Sequence, residues 1–166
     1  MTAQLHENII INGKVSSMAF CPSLPKDDAR ISTLSDDDTL TEITQKQIHR
    51  LVLSTACWRE YIGTWEIKSE KFYLVKLEGR FKLLTDHPIL ADWFTGVIRI
   101  PQGKLLHYVH MGFASVYEQE LHLKIEAGIV TASKLLNNRD RDVNTIALGW
   151  QNLPSLENRF DGDDQL

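Results

Sequence analysis

From Trp58 onward the chain repeats one pattern, short runs alternating apolar and polar residues, broken at regular intervals by turn-forming residues. YIGTWEI, KSEK and FYLVKL read as strand, turn and strand. TGVIRI, PQGK and LLHYVHM read the same way, as do SVYEQELHLKIE, AG and IVTASKLL. FKLL is a further short strand. Side chains on a strand point alternately to its two faces, so a period of two buries one face and wets the other. Upstream, NIIINGKVSSMAF sets Asn12-Gly13 between two apolar segments. That pair tolerates the positive φ angles of a type I′ turn and predicts a hairpin. Many short strands at even spacing predict a mainly β fold, an antiparallel β-sandwich or open barrel of hairpins.

Three stretches break the pattern. CPSLPKDDAR is a loop, ISTLSDDD a short strand or more loop, and DHPILADW an irregular connection because Pro88 cannot donate to a ladder. Between residues 39 and 52, Thr39 and Glu42 fit a capping box, and Leu40, Ile43, Gln47 and Leu51 share a helical stripe. This predicts one helix near 39–52, with Asp36, Asp37 and Asp38 near its positive end. DDDTLTEITQKQ lacks the sixth-position glycine and twelfth-position glutamate of a calcium loop, which argues against calcium. The organisation expected is a single β-rich domain over 1–136 and a polar, acidic C-terminal extension over 137–166. Ile146, Leu148, Trp150, Leu153 and Leu156 give that extension enough apolar surface to be partly packed.

Charge narrows the function classes. The net charge is −4 and no cluster of Lys and Arg is present, which disfavours nucleic acid as a partner. No apolar run approaches the roughly 20 residues that span a bilayer. The start, MTAQLHENIII, lacks the parts of a secretory signal, so no membrane and a cytoplasmic location are expected. Cys21 and Cys57 form no CxxC and read as small buried hydrophobes in a reducing compartment.

The chemistry-bearing residues cluster in LHYVHMG and ELHLKIE. On a regular strand His107 lies with Leu105, Val109 and Met111, while His110 lies with Tyr108 and Leu106. The two histidines therefore diverge, and zinc would need a bulge, for which Gly112 is the available residue. His107 reads as a core histidine, whereas Tyr108, His110 and His122 line a polar side. Glu118 and Glu120 share one face roughly 7 Å apart. That spacing suits a carboxylate pair, but the ordinary reading is the wet side of a strand. No metal and no cofactor are expected.

GVIRIPQGKLLHYVH resembles a cupin motif, in which a glycine, a P-x-G turn and a histidine recur. Gly96, Pro101-Gln102-Gly103 and His107 each fall one residue off that spacing, and the H-x-H with its downstream glutamate is absent. The resemblance implies a barrel or sandwich without the metal.

STACWREYIGTWE brings Trp58, Arg59 and Tyr61 together. These residue types are enriched at interface hot spots, which suggests an exposed patch; the alternative packs Tyr61 and Trp65 in the core. Cys57 as a nucleophile would need a base such as His107, and no nucleophile-elbow motif surrounds it. No glycine-rich phosphate loop exists.

The function expected is therefore a small binding or inhibitor-type protein acting through protein–protein contacts, for example a toxin-neutralising immunity protein, with a basic partner suited to the net charge. Its binding residues would be Trp58, Arg59, Tyr61, Tyr108, His110, Glu118 and Glu120. The alternatives are a small-molecule-binding barrel or minor enzyme with a His/Glu site, and a homo-oligomer subunit that self-associates through its edges.

Overall fold

The alternating segments become strands whose ends are set by turn residues able to take positive φ. A computed structural model describes residues 3–34, 46, 54–110 and 113–142. The helix expected near 39–52 falls outside the described residues apart from Lys46, and so does 143–166 of the extension. In chain order the described strands are β1 (Glu7–Ile11), β2 (Lys14–Met18), β3 (Ile31–Thr33), β4 (Tyr61–Lys68), β5 (Lys71–Gly79), β6 (Phe81–Leu83), β7 (Ile89–Leu90), β8 (Gly96–His107), β9 (Val116–Glu126) and β10 (Ile129–Asn137).

Three hairpins form where the sequence places them. Their two-residue turns, Asn12-Gly13, Ser69-Glu70 and Ala127-Gly128, all carry positive φ at both positions. That conformation matches the right-handed strand twist. The main sheet runs β2-β1-β4-β5-β10-β9-β8, with β7 attached to β5. Its pairs are antiparallel except β1 with β4. β3 and β6 make a small separate sheet. The fold is mainly β and mostly antiparallel.

The hairpin expected at PQGK does not form. GVIRI and LLH instead lie on one twelve-residue strand, β8, which pairs along β9. Gly103 has φ 77°, but it produces a register shift between Gln102 and Leu105 rather than a reversal. A single left-handed residue can make a bulge; a type I′ hairpin turn, as in the three hairpins above, needs two.

The two ends of the sheet approach each other. β2 and β8 run antiparallel, and the Ala19 N–H donates to the Arg99 carbonyl at 2.8 Å. The interior is filled by side chains, as in other small barrels. Ile9, Met18, Trp65, Phe72, Leu74, Ile98, Ile100 and Ile125 are all fully buried or nearly so. Trp65 stacks on Phe72 with ring centroids 4.9 Å apart.

Candidate functional site

The seam between β2 and β8 is where the barrel fails to close, and sequence explains why. Residue N–H and C=O groups on a strand point together to one edge, alternating by residue. Arg99 faces β2, so Pro101 faces it as well. Pro101 has no N–H to offer. By the same alternation Val15 and Ser17 face β8. The backbone bond from Ala19 to Arg99 joins the two edges.

Beyond that bond lies an open cleft of ≈ 630 Å³. Its walls are Lys14, Ser16 and Ser17 on one side and Pro101, Gln102 and Gly103 on the other. Its floor is His6, Tyr117 and Gln119. The volume is within the range of ordinary ligand sites, but the lining is unusually polar.

His6 sits against the rings of Phe113 and Tyr117, at 5.8 and 6.2 Å between centroids. Burial, then the charges of Arg99 and Arg59, lower its pKa to about 4. It is therefore neutral at physiological pH, with one nitrogen able to donate and one able to accept. Burial raises the Tyr117 phenol, so it remains an O–H donor.

Two ion pairs are buried near His6, whose arginines act on it through their charge. Glu7 projects from β1 into the barrel with Ile9. Its Oε1 accepts from Arg59 Nε at 2.6 Å; its Oε2 accepts from Gly63 N at 2.7 Å and Trp65 Nε1 at 2.9 Å. Arg59 also donates to the Leu5 carbonyl. Burial holds the Glu7 carboxyl above the usual range, with Arg59 and the other donors pulling the opposite way. On the face of β8 and β9 opposite Ile98, Ile100 and Leu123, Arg99 grips Glu120 with two bonds, Nε to Oε2 at 2.8 Å and Nη2 to Oε1 at 2.6 Å. Arg99 also donates to the carbonyls of Ser115 and Phe113. His122 Nε2 is 3.3 Å from Glu120 Oε2. Burial pushes the Glu120 carboxyl up, but Arg99 and His122 outweigh it and the net direction is down.

The residues singled out from sequence are dispersed by this arrangement. Trp58 is 56% exposed, but Arg59 turns inward to Glu7 and Tyr61 is buried, so the three do not form one surface patch. Glu120 is fully buried, and so is His122, on a face of β9 expected to be wet. Glu118 stays half-buried beneath the β8 bulge, where its Oε2 accepts from Lys104 N. Tyr108 and His110 are together and exposed, with Tyr108 Oη and His110 Nδ1 at 2.9 Å. His107 is half-buried at the end of β8, and the Leu105 expected to share a core face with it is exposed.

His6, Glu7 and Arg99 were not legible as site residues. The available signal for Arg99 was its isolation within VIRI, since a lone charge in an apolar run needs a buried partner. Cys57 donates its S–H to the Tyr61 carbonyl and burial pushes its thiol pKa up, the reverse of an activated nucleophile. Among the described residues, no three His, Cys, Asp or Glu side chains gather as a metal set. None of the helical residues described is part of a helix long and apolar enough to cross a membrane. No family model, curated protein or solved structure matches the chain.

Proposed function

We propose that this is a binding protein that acts through contacts with another protein, with the far arm of β8 as the contacting element. One observation carries this reading: residues Gln102 to Leu106 are consecutively exposed, and Leu105, Leu106 and Tyr108 together leave large apolar surface in water. A strand end bearing two leucines and followed by a tyrosine has the composition of an interface centre. His110, hydrogen-bonded to Tyr108, holds that ring in place. Leu5 and Trp58 supply a second exposed apolar pair, joined through Gln4, which accepts from Trp58 N. The free thiols of Cys21 and Cys57 suit a reducing compartment such as the cytoplasm.

Affinity capture from the native extract tests it, with the wild-type chain and a Leu105→Ser, Leu106→Ser, Tyr108→Ser variant as matched baits. A protein retained by the first and lost from the second supports the reading. Equal retention by both overturns it. A second reading, a small polar molecule held in the cleft, draws on its volume and hydrogen-bonding floor. Self-association through the free edges is the third; a native mass that grows with concentration and reverts in the triple variant would identify it.

A further inference from the structure

We infer that the cleft between β2 and β8 is a site for a neutral polyhydroxyl ligand, a sugar ring held through its hydroxyl groups. The inference rests on the small-molecule reading of the cleft and names the chemical class it takes. It is independent of the protein contact on β8.

The cleft is the polar end of the barrel interior. Period two carries the inner face of each bordering strand past the core. On β2, Met18 belongs to the core, and Ser16 and then Lys14 follow it on the same face. On β8, Ile98 and Ile100 give way to Gln102. On β9, Leu123 and Leu121 give way to Gln119 and then Tyr117. By register Ile100 lies opposite Leu121 and Gln102 opposite Gln119, so the change from apolar to polar falls at one level on these two strands. Ser16 lies opposite the fully buried Ile9. Solvated outer positions alternate with core positions along a strand, whereas these polar residues occupy the core's own rows.

The chemistry of the lining defines the ligand. Among the described lining residues Lys14 alone is charged, and it is exposed, where an ion pair contributes little. Arg59 and Arg99 are committed to Glu7 and Glu120. An anion therefore finds no buried partner among the described lining residues, and a cation finds no carboxylate there. An apolar ligand would strand the donors and acceptors of the lining. Those groups are hydroxyls and amides, on Ser16, Gln102, Tyr117 and Gln119, with neutral His6 beside them. Each of these side chains can both donate and accept. A sugar hydroxyl has the same two-way capacity, so a run of neighbouring hydroxyls can be matched without introducing an unpaired charge. His6 and Tyr117, with ring centroids 6.2 Å apart, add aromatic surface on which the C–H side of a sugar ring can pack.

Glucose, its methyl glycoside, N-acetylglucosamine and cellobiose are the probes, with glutarate and spermidine as charged controls. Nitrogen-15 NMR of the full chain follows the side-chain amides of Gln102 and Gln119 at probe concentrations on the order of 1–10 mM. The inference expects at least one neutral sugar to shift both amides saturably. Gln102→Ala, at an exposed position, and Tyr117→Phe should each weaken that sugar about fivefold, with the urea midpoint checking that the fold is kept. Lys14→Gln should leave its affinity within about twofold. A methyl glycoside bound as well as glucose would support a chain-end sugar as the source, and glucose bound without its glycoside would support a free reducing sugar. A sugar lost with Lys14→Gln but kept by Gln102→Ala and Tyr117→Phe would overturn the inference. Saturable shifts from glutarate or spermidine, with none from the sugars, would overturn it and leave the small-molecule reading standing. Shifts from no probe would sink both.

Discussion

His6 shows how one side chain can link the interior to pH. Its pKa falls from 6.5 to about 4 on folding, through burial and then the charges of Arg99 and Arg59. The unfolded chain therefore binds more protons than the folded one between those values, and stability must fall as pH drops from 6.5 towards 4. The full shift corresponds to on the order of 3 kcal/mol. Urea midpoints at pH 7.0 and 4.5 measure it; His6→Gln should flatten the difference, and an unchanged pH slope would show that His6 does not carry it. Glu120 adds to acid sensitivity in a lower window. Its folded pKa lies below the 4.5 of the free carboxyl, so its contribution is present above 4.5 and disappears as pH falls through the folded value. Gly63 makes a different kind of single-residue demand. A Cβ there would collide with Glu7 Oε2 and Trp65 Nε1, so the missing side chain is the space that the buried carboxylate occupies. Gly63→Ala should cost about 3 kcal/mol by forcing that network apart, read as a lowered urea midpoint.

At the scale of elements, the Arg99–Glu120 pair fastens β8 to β9 and the carbonyls of Phe113 and Ser115 to both. Removing one partner leaves a buried charge, so Arg99→Met should destabilise by about 3–5 kcal/mol. Adding Glu120→Leu should recover much of that, because the paired apolar replacement leaves no orphan charge. A double variant no more stable than the single one would mean that the arginine's carbonyl contacts, not the carboxylate, dominate. This pair also marks the limit of what the strand pattern could reveal. The turns at Asn12-Gly13 and Ala127-Gly128 were legible because positive φ restricts residue choice locally. The hairpin wrongly expected at PQGK failed because Pro and Gly also serve strand edges and bulges. Period two separated Leu121, Leu123 and Ile125 from Glu120 and His122 correctly, but it could not tell that both faces of β9 would be covered. Only the pairing register, which sets Arg99 opposite His122 and beside Glu120, reveals the buried ion pair. The register depends on contacts between distant segments, so no local motif encodes it. His6 was missed for the same reason: it precedes β1 and acquires its setting from β9 and the two arginines.

For the whole molecule, the wall is thin along two lines while the core runs across both. β5 meets β10 in register only at Lys71 and Ile129, with backbone bonds from Phe72 to Gly128 and from Val130 to Glu70 near the two turns. Farther along, β5 takes β7 as its neighbour instead. The other line is the seam held by Ala19 and Arg99. These lines divide the wall into β1-β2-β4-β5 and β8-β9-β10, joined weakly by backbone. The interior does not respect that division: Ile9, Trp65, Phe72 and Leu74 from the first set form one cluster with Ile98, Ile100, Leu123 and Ile125 from the second. Neither set can bury its apolar face without the other, so unfolding should be a single transition despite the weak wall. Urea melts followed by tryptophan fluorescence and by far-UV circular dichroism should then share one midpoint. Separate midpoints would mean that the two sets fold independently and that the core does not couple them. Within that single transition the seam should still open locally. The Ala19 amide lies at the end of an unzipped edge, whereas the amides of Ile98 and Ile100 lie between β8 and β9 over the core. Hydrogen exchange should therefore be fast at Ala19 through local opening and slow at Ile98 and Ile100, whose release requires global unfolding. Exchange at Ala19 as slow as at Ile100 would show the seam to be closed on the same terms as the rest of the wall.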